Sequence, residues 1–192
     1  MRISLPDADI RYIQDFISYD ESAIYMEQLI QGVQWKQNQI KMFGNIYDEP
    51  RLTAWYGDQG INYKYSGIEL VPIPWSDLLV KLKSKVSLAT GTEFNSALVN
   101  YYRDGKDSMG YHQDNEPELG RNPTIASLTF GAERMFQLKH ITDKAQKRID
   151  IPLKNGSLLI MAGATQHNWK HQIPKTKKPI GPRLNITFRE IK

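Results

Sequence analysis

His112 and Asp114 are separated by a single residue, and further histidines stand at His167 and His171. Two imidazoles and one carboxylate are the ligand set of a non-haem Fe(II) oxygenase site, which leaves positions on the ion open for co-substrate and O2. Along a strand, residues i and i+2 point to the same face, so His112 and Asp114 can reach one ion. The third ligand is contested between His167 and His171. His171 is preferred because it precedes Gln172-Ile173-Pro174 and stands twelve residues before Arg183, whereas His167 lies in the turn-like segment Gly163 to Asn168. His140 follows a lysine at a predicted strand end and is expected to be solvated. Arg183, Thr187 and Arg189 are separated by even numbers of residues, four and then two, and so share one side of an extended strand. Guanidiniums facing a pocket call for a carboxylate or phosphate, because planar bidentate pairing is what arginine offers and lysine does not. A metal ion beside a dicarboxylic acid is the simplest joint reading.

A chain of 192 residues is a single domain long enough to bury a full core. Its 40% hydrophobic and 24% charged residues are those of a soluble globular protein, and no apolar run approaches a membrane span. No membrane partner is expected. The first residues lack a secretory core, and the absence of cysteine removes disulfides, thiolate metal sites and a Cys nucleophile. A cytoplasmic location, nuclear in a eukaryote, and a monomer are the expectations. The net charge of +4 permits a nucleic-acid partner without requiring one. Spacing of Leu5, Ile10, Ile13, Phe16 and Ile17 predicts a short helix over 5–17. Asp20 is the expected N-cap of a second helix, with Ile24, Leu29 and Ile30 on its buried side. Ser76 is the expected N-cap of a third, reaching about Val86, with Gly91 ending it. Beyond Gly91 the period becomes two. Strands are predicted from Phe94 to Tyr102 and over 124–130, 134–139, 148–153, 157–162, 169–173 and 183–191. Helices followed by many short strands give an α+β class with a jelly roll or small barrel.

In this order, Asn100-x-Tyr102, His112-x-Asp114, His171 and Arg183-x-Asn185-x-Thr187-x-Arg189 resemble the AlkB family of Fe(II)- and 2-oxoglutarate-dependent nucleic-acid dealkylases. Tyr56-Gly57-Asp58, Tyr63-x-Tyr65-Ser66-Gly67 and Met42-Phe43-Gly44 look like the eukaryotic-type subgroup that repairs duplex DNA, although that subgroup usually has Val where Met42 stands and Phe where Tyr65 stands. The resemblance implies a double-stranded β-helix (jelly roll) over 91–192, with N-terminal helices and a nucleotide-recognition lid over 1–90. His112, Asp114 and His171 then hold Fe(II), while Asn100, Tyr102, Arg183, Asn185, Thr187 and Arg189 form the 2-oxoglutarate site. The sequence leaves open which arginine takes which carboxylate. O2 and 2-oxoglutarate are consumed, and an N-methyl group on a base such as 1-methyladenine or 3-methylcytosine leaves as formaldehyde. Tyr102, Phe130 and Met161 are expected to line a dry pocket.

The methylated atom lies on the pairing edge, so the base must be flipped or single-stranded. On the resemblance, Tyr63 and Tyr65 stack the base, Phe43 acts as a wedge, and Glu116, helped by Asn115, reads the exocyclic amino group. Arg51 and the lysines 170, 175, 177 and 178 are expected on phosphates. The partner is therefore alkylated DNA, double- or single-stranded. RNA with the same chemistry, a non-catalytic metal-bearing jelly roll that binds nucleic acid, and a protein hydroxylase are the alternatives.

Overall fold

From Ser96 onward the chain deals its strands out to two sheets. Ser96–Tyr102, Ile125–Gly131, Leu158–Ala162 and Arg183–Arg189 enter one; Met109–His112, Arg134–His140, Ile149–Leu153 and Trp169–Ile173 enter the other. Every pairing within these sheets is antiparallel, and the two stack as the jelly roll expected of a double-stranded β-helix. In this computed structural model the described residues are 1–42, 44–61, 63–65 and 68–192, with backbone alone described for 41, 42, 63–65 and 68–70. The first sheet gains Leu52–Gly57 at one edge and the pair Arg2–Ile3 and Asp9–Ile13 at the other, making seven strands. Among the described residues, no helix is long and apolar enough to cross a membrane.

Alternation along the seven-stranded sheet is sharp, and its polar phase is also buried. Leu184, Ile186 and Phe188 face two helices, Tyr19–Gly32 (α1) and Asp77–Thr90 (α2), and pack on Leu29, Leu79, Leu82 and Val86. Arg183, Asn185, Thr187 and Arg189, the intervening residues, are buried toward the other sheet. Phe130 follows the helix-facing phase, its ring 6.3 Å from that of Tyr25. It does not line the pocket as expected; Thr129 and Ser127 occupy the interior phase, and the pocket side of this sheet is the polar one.

Two N-terminal expectations are corrected. The segment read as a helix over 5–17 contains the strand Asp9–Ile13, which pairs Tyr12 with Leu159 and Ile10 with Met161. Ile10 and Tyr12 are buried and Arg11 is exposed, a period of two that the additional isoleucines Ile13 and Ile17 disguise as helical spacing. The next helix is capped by Ser18, whose hydroxyl accepts the Glu21 N–H, rather than by Asp20; it buries Tyr25 and Leu29 and leaves Ile24 exposed. The third helix starts behind Ser76 as expected and ends at Gly91 in the left-handed region. Asp58, after Gly57, accepts the Trp75 indole N–H at 2.6 Å and pairs with Lys83, tying that motif to the start and middle of α2.

Gly156 joins the α1 side to the jelly roll. Its φ is +71°, its carbonyl accepts the Ile17 N–H, and an added Cβ would fall on the Ile17 carbonyl oxygen. Gly156→Ala is therefore expected to cost about 2–5 kcal/mol from backbone strain and overpacking together. Urea unfolding monitored by far-UV circular dichroism checks this, and a loss within experimental error would refute the crowding.

Candidate active site

The Trp169–Ile173 strand lies against Met109–His112 with His171 directly opposite His112. The two imidazole rings are 4.2 Å apart, and Phe136 stacks on His171 at 5.1 Å from behind. Regular strand ends at His112, so Asp114 is not delivered by strand alternation alone. Gln166, fully buried in the short helix Thr165–Asn168, accepts the Asp114 N–H at 2.9 Å through its side chain. Its backbone carbonyl also accepts the Gln113 amide at 2.6 Å. The result is a cluster in which one ligand atom each from His112, Asp114 and His171 lies within 4.8 Å of the others. His167, the competing candidate, is exposed in that short helix and accepts the Asn122 N–H instead.

The donor set suits a divalent cation. His112 Nδ1 is 2.9 Å from the Gly110 carbonyl, an obligate acceptor, so that nitrogen carries a proton and Nε2 is the ring atom left to face an ion. Burial pushes His171 down to about 3, with the neighbouring His112 adding to the effect and Asp114 opposing it. Its imidazole is thus neutral at any ordinary pH. Burial alone would raise the Asp114 carboxyl, but Arg189, His171 and His112 outweigh it and hold it well below the usual carboxylate range. Arg189 Nη2 sits 2.7 Å from Asp114 Oδ1. One anionic oxygen ligand and one neutral imidazole nitrogen are thereby in the protonation states a metal requires, and His112 stands beside them as the third donor.

Beside the cluster are two cavities. The inner one, about 50 Å³, is bounded by Asn100, Tyr102, Arg183, Asn185 and Thr187. Arg183 is almost fully buried, donates from Nη2 to Thr129 Oγ1 at 3.0 Å and lies 5.1 Å from the Tyr102 ring centre. Its Nε and Nη1 have no hydrogen-bond partner among the described residues, and burial pushes the guanidinium down to about 10. A buried cation with spare donors is the counterpart of a carboxylate. Asn185 is held by Ser127 Oγ and Leu128 O, and in turn accepts from Thr187 and Asn100. The outer cavity, about 170 Å³, is bounded by Lys36, Glu49, Arg51, Trp55 and Glu116. Both cavities share the wall formed by Leu98, Met109, His112, Asp114 and Arg189.

Other expected positions are placed as follows. Arg51 is not an exposed phosphate contact. It is buried, with Nη2 on Glu49 and Nε on Asn100, because the adjacent carboxylate draws it inward. Glu116 lines the outer cavity; Asn115 is exposed and lines neither. Lysines 170, 175, 177 and 178 are exposed. His140 is buried rather than solvated, edge-on to Trp169 and accepting the Asp143 N–H. Phe43 and the side chains of Tyr63 and Tyr65 lie outside the described residues. Gln166, Phe136 and Glu49 escaped the sequence reading. Gln166→Leu is expected to weaken divalent-metal affinity about 10–100-fold by freeing the Asp114 backbone; an Fe(II) titration under anaerobic conditions measures it, and unchanged affinity would deny Gln166 that role.

A family model described as the 2OG-Fe(II) oxygenase superfamily matches residues 9–189. The alpha-ketoglutarate-dependent dioxygenase alkB homolog 3 of Homo sapiens is 44% identical over 184 residues, covering 92% of this chain and 64% of that protein. The DNA oxidative demethylase ALKBH2 of Mus musculus is 37% identical over 172 residues, covering 86% of this chain and 72% of that protein. The chain thus spans just under two thirds of the length of the alkB homolog 3 proteins it matches. Among solved structures, that of OsALKBH1 superposes with a TM-score of 0.66 at 16% identity, covering 98% of this chain and 100% of that one. A prolyl hydroxylase from Trichoplax adhaerens gives 0.64 at 15% identity, covering 95% and 83%. At those identities the likeness concerns the fold.

Proposed function

The chain belongs to the 2OG-Fe(II) oxygenase superfamily, and from that premise we propose that it is an Fe(II)- and 2-oxoglutarate-dependent dioxygenase that oxidatively removes small N-alkyl groups from DNA bases. The observation that carries the reading is the His112–Asp114–His171 cluster, with His112 and Asp114 in the wall shared by two cavities, the inner one lined by the buried Arg183 and the outer one by Glu116. Iron, 2-oxoglutarate and O2 supply the oxidising chemistry, with succinate, CO2 and formaldehyde as products.

What the chain contributes is binding, orientation and exclusion of water. His112, Asp114 and His171 hold the ion. Arg183, with two donor nitrogens unpartnered among the described residues in the wall of the inner cavity, would hold one carboxylate of the co-substrate, and Tyr102 packs against it. Arg189, in the wall shared by both cavities and already against Asp114, would hold the other. Leu98 and Met109, in the shared wall, limit water at the reacting atoms. A base reaches the outer cavity only when extruded or single-stranded. Glu116 presents a buried oxygen there with no partner among the described residues, an acceptor for an exocyclic amino group. Stacking by Tyr63 and Tyr65 and the wedge role of Phe43 rest on the sequence resemblance.

The test is anaerobic loading with Fe(II) and 2-oxoglutarate, then admission of O2 with 1-methyladenine in single-stranded DNA, duplex DNA or RNA. Loss of one methylene mass with matching formaldehyde on DNA is the expected result. A higher rate on RNA than on both DNAs would move the substrate to RNA. Turnover of 2-oxoglutarate with every base unchanged would reject nucleic-acid dealkylation.

A further inference from the structure

Glu49 is held in place with unusual completeness for a loop residue. Its N–H donates to the Asn38 carbonyl at 2.7 Å, and its own carbonyl accepts the Arg51 N–H at 2.8 Å and the Gln37 amide at 3.1 Å. The side chain is only 5% exposed and lines the outer cavity. One oxygen, Oε1, accepts Arg51 Nη2 at 3.2 Å; the other, Oε2, is buried with no hydrogen-bond partner among the described residues. Glu116 Oε2, on the same cavity, is in the same condition. A buried acceptor left unsatisfied is costly, and a carboxylate oxygen more so than a neutral one. Neutralising Arg51 explains Oε1 and leaves Oε2 unexplained by any contact among the described residues. A phosphate would be repelled by it. What satisfies two such oxygens around one cavity is a ligand that brings N–H donors and positive charge.

We propose that Glu49 is a second specificity-determining carboxylate, which with Glu116 selects cationic, amino-bearing bases in the outer cavity; the inference rests on the dealkylase reading for the identity of the ligand as a base. A base methylated at the ring nitrogen beside an exocyclic amino group, as in 3-methylcytosine, is cationic near neutral pH and offers the amino donor. A methylated base with carbonyls flanking that nitrogen, as in 3-methylthymine, is neutral and turns an oxygen toward Glu49. Sites built around a polar group reject the ligand that leaves it unpaired far more strongly than they reject a change of shape. Glu49→Gln keeps the shape, still offers Arg51 an acceptor, and replaces the unpartnered acceptor by a donor. Glu49→Asp keeps the charge and the ion pair while drawing the oxygen back from the cavity.

The experiment uses protein loaded with Fe(II) and 2-oxoglutarate, first without O2, and two oligonucleotides differing only in 3-methylcytosine or 3-methylthymine. Binding is read by fluorescence anisotropy, and repair is read by mass after O2 is admitted. We expect the wild-type protein to prefer 3-methylcytosine at least tenfold. Glu49→Gln should cut that ratio by about tenfold or more, the scale of one hydrogen bond to a charged group, and Glu49→Asp should give an intermediate ratio. Equal weakening toward both oligonucleotides in both variants would reduce Glu49 to a support for Arg51 and overturn the proposal, as would a wild-type protein without preference. If the preference exists and is lost in the variants while no base is repaired, Glu49 selects the ligand as proposed and the dealkylase reading fails on its own.

Discussion

Replacing Asp114 by alanine is expected to abolish turnover and to weaken Fe(II) binding by more than the roughly 10–100-fold typical of losing an outer-shell partner. The carboxylate is the one anionic ligand in the cluster, and the His171 imidazole beside it is held in lone-pair form. Removing it also leaves Arg189 without the oxygen 2.7 Å away. A buried charge whose partner is deleted destabilises by about 3–5 kcal/mol, so a bare loss of activity would be ambiguous. Asp114→Asn separates the two effects, because it keeps the side-chain shape and an acceptor for Arg189 while losing the charge. We expect Asn to retain the native circular dichroism and melting cooperativity, and to bind Fe(II) as poorly as the alanine variant. Wild-type affinity in either variant would place the metal elsewhere.

The second large effect has two opposite signs. Arg183→Met removes a nearly fully buried cation with two donor nitrogens unpartnered among the described residues. Without ligand, replacing such a charge by an apolar chain of similar reach is expected to be neutral or stabilising. With Mn(II) and 2-oxoglutarate present, the wild-type protein should gain about 2.7 kcal/mol at a hundredfold excess over the dissociation constant, and the variant almost none. Arg183→Lys should not restore the response, because a point charge on a flexible stem lacks the planar fork. Thermal melts of the three proteins, with and without the two ligands, decide this. An equal ligand-induced rise in wild type and Arg183→Met would remove Arg183 from co-substrate binding.

The strands after Gly91 were legible in sequence because both phases of their alternation differ chemically: Leu184, Ile186 and Phe188 against Arg183, Asn185, Thr187 and Arg189. The same pattern exposes the error at Phe130. Its apolar character alone points Phe130 to the pocket, whereas the strand's own period turns Ser127 and Thr129 to the interior. Asp9–Ile13 was misread because its isoleucines satisfy two periods, and the partner that chooses between them, Leu158–Ala162, lies at the far end of the chain. The site was legible through His112-x-Asp114 and the closing arginines, whose residue types are informative by themselves. Gln166 and Glu49 were not. Nothing local marks a glutamine as the support of a backbone 52 residues away, or a glutamate in a loop as buried.

One seven-residue strand, Arg183–Arg189, carries side chains of the inner cavity, where we propose the co-substrate binds, on one side and a share of the helix-facing core on the other. The guanidiniums are therefore fixed to a backbone clamped from behind by α1 and α2, and the tolerance of the chemistry is the tolerance of that clamp. A truncation such as Ile186→Ala, which touches no ligand, lets both arginines shift together, so co-substrate affinity becomes a gauge of how well the helices are seated. Selection on the reaction then reaches residues on the far side of the sheet, and a change in α2 can act as a mutation of the site.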